Sequence, residues 1–463
     1  MSVGLGALAD TAGDFAAPSD PPAAIRAVKP RPPLPGGPYL VVGLARSGVA
    51  AALALRARGE DVVGIDSGRP DAGRLMEAGV EVHLDTPGGD LVDRARTLIK
   101  SPGVPAQAPA IVAARERGIT VIGELELAWR LIDSEFVAVT GTNGKTTTTE
   151  LIGHIHEEAG IPHAVGGNVG TAVASLVGEA VGDQVLIAET SSFQLEDTEA
   201  FAPEAAVLLN LEEDHLDRHG TFEAYREAKL QAFVRQRPED VAVASPDLIG
   251  MLPGGAERVV FGGGGDVDER DGVLRWRGVR LLALDDVALR GPHNAQNAMA
   301  AAAVCLARAV DADAVRAGLR TFAGVPHRLE EVAERHGVLY VNDSKATNVA
   351  SAVVALRSFE APIHLIAGGR GKGSGFEALR APVAERCAAV YLIGEATDAL
   401  DAALAGAGVP VRRCGDLERA VADARAGAQP GDVVLLSPAC TSYDQYPDFE
   451  ARGDHFRRLA GRG

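Results

Sequence analysis

The stretch Val139-Thr140-Gly141-Thr142-Asn143-Gly144-Lys145-Thr146-Thr147-Thr148 lies between an apolar run, Phe136 to Val139, and a segment of helical character. A strand, a glycine turn carrying Lys-Thr and then a helix form an arrangement that cradles nucleotide phosphates. The glycines let backbone N–H groups approach the phosphates, and the helix N-terminus adds a favourable dipole. Lys145 is placed to reach the terminal phosphates, and the Thr146 hydroxyl is a candidate ligand for Mg2+. Gly141, Thr142, Asn143, Gly144 and Thr147 complete the expected nucleotide-phosphate cradle. In the common Gly-x-x-x-x-Gly-Lys-Thr pattern the first glycine would fall at position 139, which is Val139 here. The loop reads Gly-x-x-Gly-Lys-Thr, a particular variety of phosphate site.

Outward from this loop the chain reads as three α/β regions. Residues 1–37 are rich in Ala, Pro and Gly and predict an extended or disordered tail. Residues 38–131 carry a strand Tyr39–Val42, the turn Gly43-Leu44-Ala45-Arg46-Ser47-Gly48, an alanine-rich helix and a strand Asp61–Ile65 that ends in Asp66-Ser67. That is a β-α-β unit with a glycine turn at its first crossover. Ala45 replaces the glycine that would admit a pyrophosphate, while Asp66 falls where an NAD site wants an acid. On this region alone an NAD-dependent dehydrogenase and a site for the nucleotide moiety of some other substrate both fit. A further strand, Thr97–Lys100, ends in Ser101-Pro102-Gly103.

Residues 132–324 hold the phosphate loop and two more strands, Val185–Ala188 and Ala206–Leu209. These end in Glu189-Thr190-Ser191-Ser192 and in Asn210-Leu211-Glu212-Glu213-Asp214-His215. Ligands of parallel sheets collect at the carboxyl ends of strands, so both polar clusters share the rim of the phosphate loop. Residues 325–463 alternate strands (Val338–Val341, Ile363–Ile366, Ala389–Ile393, Val433–Leu436) with helical stretches, again the pattern of a parallel sheet.

Composition narrows the partners. The chain has 463 residues, more than one compact core, and a net charge of −18, which argues against a nucleic-acid partner. Cys305, Cys387, Cys414 and Cys440 are scattered without metal-ligand spacing and read as reduced thiols. No apolar run is long enough to span a membrane, and the N-terminus lacks the pattern of a secretion signal, so a cytoplasmic protein is expected.

The order of short motifs is more specific than any one of them. Thr140 to Thr147, Gly166-Gly167-Asn168-Val169-Gly170, Glu189-Thr190-Ser191-Ser192-Phe193-Gln194-Leu195, Asn210 with Glu213 to Arg218, Tyr225-Arg226-Glu227-Ala228-Lys229, His293-Asn294-Ala295-Gln296-Asn297, Pro326-His327-Arg328 and Asp343-Ser344-Lys345-Ala346-Thr347-Asn348 follow one another. This series resembles the Mur ligase family of ATP-dependent amide-forming enzymes, from about Tyr39 to the end. Asn342 to Asn348 and Leu436-Ser437-Pro438-Ala439-Cys440 are similar to its D-glutamate-adding branch. The resemblance implies an N-terminal Rossmann-like UDP-binding domain, a central P-loop ATPase-like domain with a mostly parallel sheet, and a C-terminal Rossmann-like domain for the amino acid. It implies ATP, UDP-N-acetylmuramoyl-L-alanine and D-glutamate as substrates, two Mg2+ sites and a monomeric enzyme.

Residue by residue, the resemblance assigns Lys145, Lys229, His215 and Lys345 to catalysis. Thr146, Glu189, His215 and Lys229 belong to the metals, Lys229 as an Nζ-carbamate. Asn294, Asn297, Arg328 and Asp343 join the phosphate loop around ATP. Arg46, Ser47, Ser67, Gly103, Asn168 and Gln194 face the UDP-substrate, and Thr347, Lys372, Ser442, Tyr443 and Phe449 face the incoming amino acid. Arg46, Ser67 and Tyr443 depart from the residues expected at their places, and Arg370 adds a basic residue to the Gly368–Gly373 turn. The chemistry is consistent with these parts: a carboxylate must be activated before an amine attacks it, and transfer of the γ-phosphoryl of ATP gives an acyl phosphate. A folylpolyglutamate synthetase-like ligase using L-glutamate or another carboxylate shares the phosphate loop and three-domain plan. A nucleotide-dependent switch would share the loop alone.

Overall fold

The computed structural model of the chain describes residues 28–168, 170–178, 183–289, 291–371 and 375–461. Three sheets carry the architecture, and each sets one rim of strand ends at a candidate site. The first sheet runs, in spatial order, Glu81–His83, Val62–Ile65, Tyr39–Val42, Thr97–Lys100 and Thr120–Gly123, all parallel. Tyr39–Val42 and Thr97–Lys100 are adjacent, and the chain winds away from them in both directions. A crevice therefore opens at their carboxyl ends. There the Ser101 hydroxyl donates to the Gly43 carbonyl at 2.7 Å.

The central sheet is ordered Glu257–Val260, Val241–Ala244, Ala205–Leu208, Glu135–Thr140, Val185–Glu189, His163–Gly167, again all parallel. Strand Glu135–Thr140 is buried along its whole length, as an apolar strand covered on both faces must be. Pairing sets Val139 opposite Glu189 and Thr140 opposite Leu208, so the phosphate loop, Glu189 and Asn210 emerge side by side. Helix Pro292–Ala307, buried continuously from Asn297 to Cys305, shares one core cluster with Leu151, Ile152 and Ile155 of helix Lys145–Glu158. Its small alanines allow that close approach. An antiparallel sheet of Val267–Arg270, Val273–Trp276 and Val279–Ala283 is appended to this domain.

The third sheet runs Glu330–Arg335, Val338–Asn342, Val433–Leu436, Ile363–Gly368, Cys387–Ile393, Val411–Gly415. Its first pair is antiparallel and the rest are parallel. The three-domain α/β plan with mostly parallel sheets is thus as the sequence predicts. Cys305, Cys414 and Cys440 are buried thiols and Cys387 is half-buried. Among the described residues no helix is long and apolar enough to cross a membrane.

One expectation needs correction. Residues 28–37, read as the end of a disordered tail, are strapped across the first and central domains; residues 1–27 lie outside the described part. Lys29 Nζ donates to Asp240 Oδ2 at 2.7 Å. The Arg31 guanidinium meets Glu204 at 3.0 and 3.2 Å, donates to the Ser134 carbonyl at 2.7 Å and lies 4.5 Å from the Trp129 ring centre. Arg130 in turn donates to the Pro33 carbonyl, and Thr97 to that of Gly36. Proline-rich composition predicts disorder only where nothing offers partners. Here two buried carboxylates do.

Both members of the Arg31–Glu204 pair are nearly inaccessible, with side-chain exposures of 6% and 4%. Removing one partner strands the other charge, so Arg31→Ala is expected to destabilise the fold by about 3 kcal/mol. Urea unfolding would read this as a lowered midpoint, and an unchanged midpoint would show that the strap adds nothing.

Candidate active site

Gly144 has φ +82° and a Cβ there would come within 2.3 Å of Asn297 Oδ1, so only glycine lets the loop turn beneath helix Pro292–Ala307. The loop is held from the neighbouring strand end. Thr142 N and Asn143 N both donate to Asn210 Oδ1, at 3.0 and 2.8 Å, and Asn210 Nδ2 donates back to the Asn143 carbonyl at 3.1 Å. Thr142 Oγ1 lies 3.0 Å from the Tyr225 hydroxyl and accepts from Glu212 N at 3.0 Å. Asn210 was visible in the sequence as part of a motif without a role. Its position beside the loop supplies one.

Lys145 Nζ donates to the carbonyls of Gly141 (3.0 Å) and Thr142 (2.8 Å). Lys229 Nζ donates to the same Gly141 carbonyl at 2.8 Å, with the Tyr225 ring 4.6 Å away. Tyr225 sits four residues before Lys229 on helix Phe222–Leu230, the spacing that stacks side chains on one face. Lys229 is 2% exposed. Burial, with the neighbouring Lys145 charge second, pushes its ammonium down to about 6. Burial lowers Lys145 as well.

Beyond the lysines, Thr146 Oγ1 donates to Glu189 Oε2 at 2.7 Å, and Asn168 Nδ2 donates to Glu189 Oε1 at 3.0 Å. Gly167 makes this approach possible, since a Cβ there would stand 2.1 Å from the Glu189 carbonyl oxygen. A hydroxyl and a carboxylate are the hard oxygen donors that Mg2+ prefers, so this pair fits a metal beside the phosphate loop. His215 is placed less centrally. It adopts a left-handed backbone (φ +51°), has a side chain 48% exposed and partners Asp214, with the Phe193 ring 4.8 Å away.

The third domain closes the other side. Asn143, Arg328, Asp343, Lys345 and Ala346 line one cleft between the phosphate loop and the third sheet. Asp343 is buried, accepts from the Ser437 hydroxyl at 2.7 Å and from Leu329 N at 3.3 Å, and burial raises it to about 7. Burial lowers Lys345, and the neighbouring Arg328 charge adds to the effect. Lys145, Arg328 and Lys345 thus gather positive charge around the loop, suited to a polyphosphate. Asn297 Nδ2 donates to Asn294 Oδ1 at 3.3 Å beside it. Thr147 is buried on the first turn of the loop helix.

The remaining predicted residues are more dispersed. Ser442 is buried and Tyr443 is 64% exposed, whereas Phe449 packs edge-on against His327 and accepts from the Ser344 hydroxyl through its carbonyl. Thr347 is half-buried two residues beyond Lys345. Lys372 lies outside the described residues. In the first domain Arg46 and Ser67 are exposed, Ser47 is half-buried and Gly103 is exposed on its loop. Gln194 Oε1 accepts from Ser191 N at 3.0 Å in a helix-capping box. Asp66 accepts from Leu44 N at 2.6 Å and Gly68 N at 2.8 Å. An acid that clamps its own turn on both oxygens is poorly free to read a ribose, which weighs against the NAD reading.

Sequence reasoning missed Arg452 altogether. Its buried guanidinium donates to the Ser344 hydroxyl and to the carbonyls of Ser344, Cys440, Thr441 and Gly368. It ties together the loops after three strands, and nothing in the helical pattern around it distinguishes it from a surface arginine.

The chain is similar to known proteins over most of its length. The descriptions that match are "Mur ligase MurD-like, N-terminal domain" over residues 38–123, "Mur ligase middle domain" over 139–305 and "Mur ligase, glutamate ligase domain" over 327–440. The UDP-N-acetylmuramoylalanine--D-glutamate ligase of Acidobacterium capsulatum is 42% identical, covering 92% of this chain and 96% of its own. That of Pelotomaculum thermopropionicum is 41% identical over 91% and 96%. Among solved structures, UDP-N-acetylmuramate-alanine ligase from Thermotoga maritima matches with a TM-score of 0.59 at 20% identity, covering 92% and 98% of the two chains. This last likeness concerns the fold.

Selective 13C labelling of lysine Cε should show a resonance titrating near pH 6, cationic below and neutral above, that vanishes in Lys229→Ala. If every lysine titrates near 10, the buried amine is not as described.

Proposed function

The chain belongs to the Mur ligase family, and from that premise we propose that it joins D-glutamate to UDP-N-acetylmuramoyl-L-alanine with ATP. The reaction releases ADP and phosphate and serves peptidoglycan precursor synthesis. The observation that carries the chemistry is the phosphate loop with its own Lys145 and the buried Lys229 against it, facing Arg328 and Lys345 across the domain cleft. In this reading Lys145, Arg328 and Lys345 hold the γ-phosphoryl as it passes to the substrate carboxylate. Asn294 and Asn297 border the nucleotide, and Asp343 holds its place through Ser437 and the Leu329 amide. The turns carrying Arg46, Ser47, Ser67 and Gly103 receive the UDP moiety, and Asn168 and Gln194 orient the sugar end. Thr347, Lys372, Ser442, Tyr443 and Phe449 border the amino acid.

Thr146 and Glu189 would hold one Mg2+, and His215 with Lys229 a second. When bound, Mg2+ neutralises phosphate charge during transfer. An ammonium cannot ligate a cation, so Lys229 fits this role only after its neutral amine adds CO2 to give a carbamate. With a pKa of about 6, most of that amine is neutral at pH 7.5. The lowered value therefore supports the carbamate. In this reading the enzyme works as a monomer in the cytoplasm.

Phosphate release should require UDP-N-acetylmuramoyl-L-alanine and D-glutamate together. Equal release without the amino acid would sink the ligase reading, and turnover with L-glutamate or a reduced folate in their place would favour the folylpolyglutamate synthetase-like alternative.

Equilibration with 13C-bicarbonate should give one carbamate resonance, absent from Lys229→Ala, and that variant should lose at least about a hundredfold in kcat. A protein without turnover, whose Lys229→Ala variant keeps its nucleotide affinity, would instead suit a nucleotide switch.

A further inference from the structure

The first and central domains meet through a charge network next to the metal-side turn. Lys100, fully buried at the end of its strand, donates to Glu196 Oε1 at 3.1 Å and is paired with Asp197. Glu196 Oε1 also accepts from Arg218 Nη2 at 2.7 Å. The same Arg218 nitrogen reaches the Val104 carbonyl at 2.8 Å and that of Pro102 at 3.5 Å. These carbonyls flank Gly103, on the loop that begins at Ser101. Arg218 thus holds a loop of one domain from a turn of the other.

That turn is the one carrying His215. Arg218 N and His219 N both donate to the His215 carbonyl at 3.0 Å, so the segment moves as a unit. The Phe193 ring packs against all three side chains: the Arg218 guanidinium lies 4.8 Å from its centre, His215 4.8 Å, and His219 stacks at 5.4 Å. His219 Nε2 lies 2.9 Å from Ser192 Oγ, which secures the far end. A displacement of the Ser101–Val104 loop has a short, stiff route to the His215 imidazole.

We propose that Arg218 is a positioning residue that links occupancy of the Ser101–Val104 loop by the UDP-substrate to the placement of His215 at the metal site. The inference rests on the assignment of those two subsites given above. Its physical content is a coupling between two ligands: if the diphosphate settles the loop, Arg218 settles the turn, and the metal binds more tightly. By linkage the metal must tighten UDP-substrate binding by the same factor. Arg218 itself need touch neither ligand.

The test uses the full chain with a non-hydrolysable ATP analogue and Mn2+ as the metal, its binding followed by electron paramagnetic resonance with and without UDP-N-acetylmuramoyl-L-alanine. In the unaltered protein the UDP-substrate should tighten Mn2+ by about fivefold or more. Arg218→Gln should bring that ratio to within about twofold of unity, and Arg218→Lys, which keeps the charge without the fork, should fall between. A variant damaged only in its fold would lower the melting midpoint and weaken both affinities while leaving the ratio intact, and that outcome overturns the proposal. Should Arg218→Gln fail to fold, Glu196→Gln, which removes the charge anchoring Arg218, must reduce the ratio in its place. Unaltered protein that binds the UDP-substrate without tightening Mn2+ refutes the coupling but spares the ligase reading. Unaltered protein that does not bind the UDP-substrate refutes the ligase reading itself.

Discussion

Two lysine side chains share the carbonyl of Gly141, and most of the site follows from making that tolerable. Lys145 and Lys229 approach it at 3.0 and 2.8 Å in surroundings that exclude water. Burial lowers the proton affinity of both, and the neighbouring Lys145 charge lowers that of Lys229 further. A loop bearing this charge would be pushed open if it relied on its own backbone. Asn210 pins it through three hydrogen bonds of one side chain, and Tyr225 both contacts Thr142 and offers its ring to Lys229. The loop is therefore fixed before any anion arrives, so binding does not have to assemble it.

The third domain solves a related problem with the opposite economy. Arg452 is 1% exposed, and its charge is stabilised by dipoles, four carbonyls and a hydroxyl. Burial brings its pKa down to about 10, still high enough to keep it charged at neutral pH. Because its acceptors belong to the ends of three different strands, the guanidinium fixes the loops that carry Lys345 and Ser442 relative to one another. A lysine there could not reach all of them.

Much of this was legible in the sequence. Apolar runs gave the strands that carry the site to within a residue or two, because parallel strands buried on both faces must be apolar throughout. Polar clusters at their carboxyl ends gave Glu189, Asn210 and Asp343. What escaped was of two kinds. Edge strands such as Glu81–His83, Glu330–Arg335 and Val411–Gly415 are short or mixed in polarity, since one side meets solvent. Arg31, Arg218 and Arg452 escaped because an arginine in sequence carries no mark of burial. Its partners lie at least 103 residues away in the contacts to Glu204, Ser134, Ser344 and Val104.

The departures from family expectation can be weighed by where they point. Arg370, the added basic residue, forms a two-point pair with Glu395 at 2.9 and 3.0 Å on the surface, so its charge is answered locally. Tyr443 turns outward, while its neighbour Ser442 remains buried. Beneath both, the frame of Asn342, Ser344, Ser437 and Arg452 is closed by internal hydrogen bonds. Substitution at an exposed rim position changes what a ligand meets at the entrance. Substitution within the frame would leave a carbonyl or a charge unpaired and cost far more. The differences of this chain fall at the rim, where a change of contact does not require a change of chemistry.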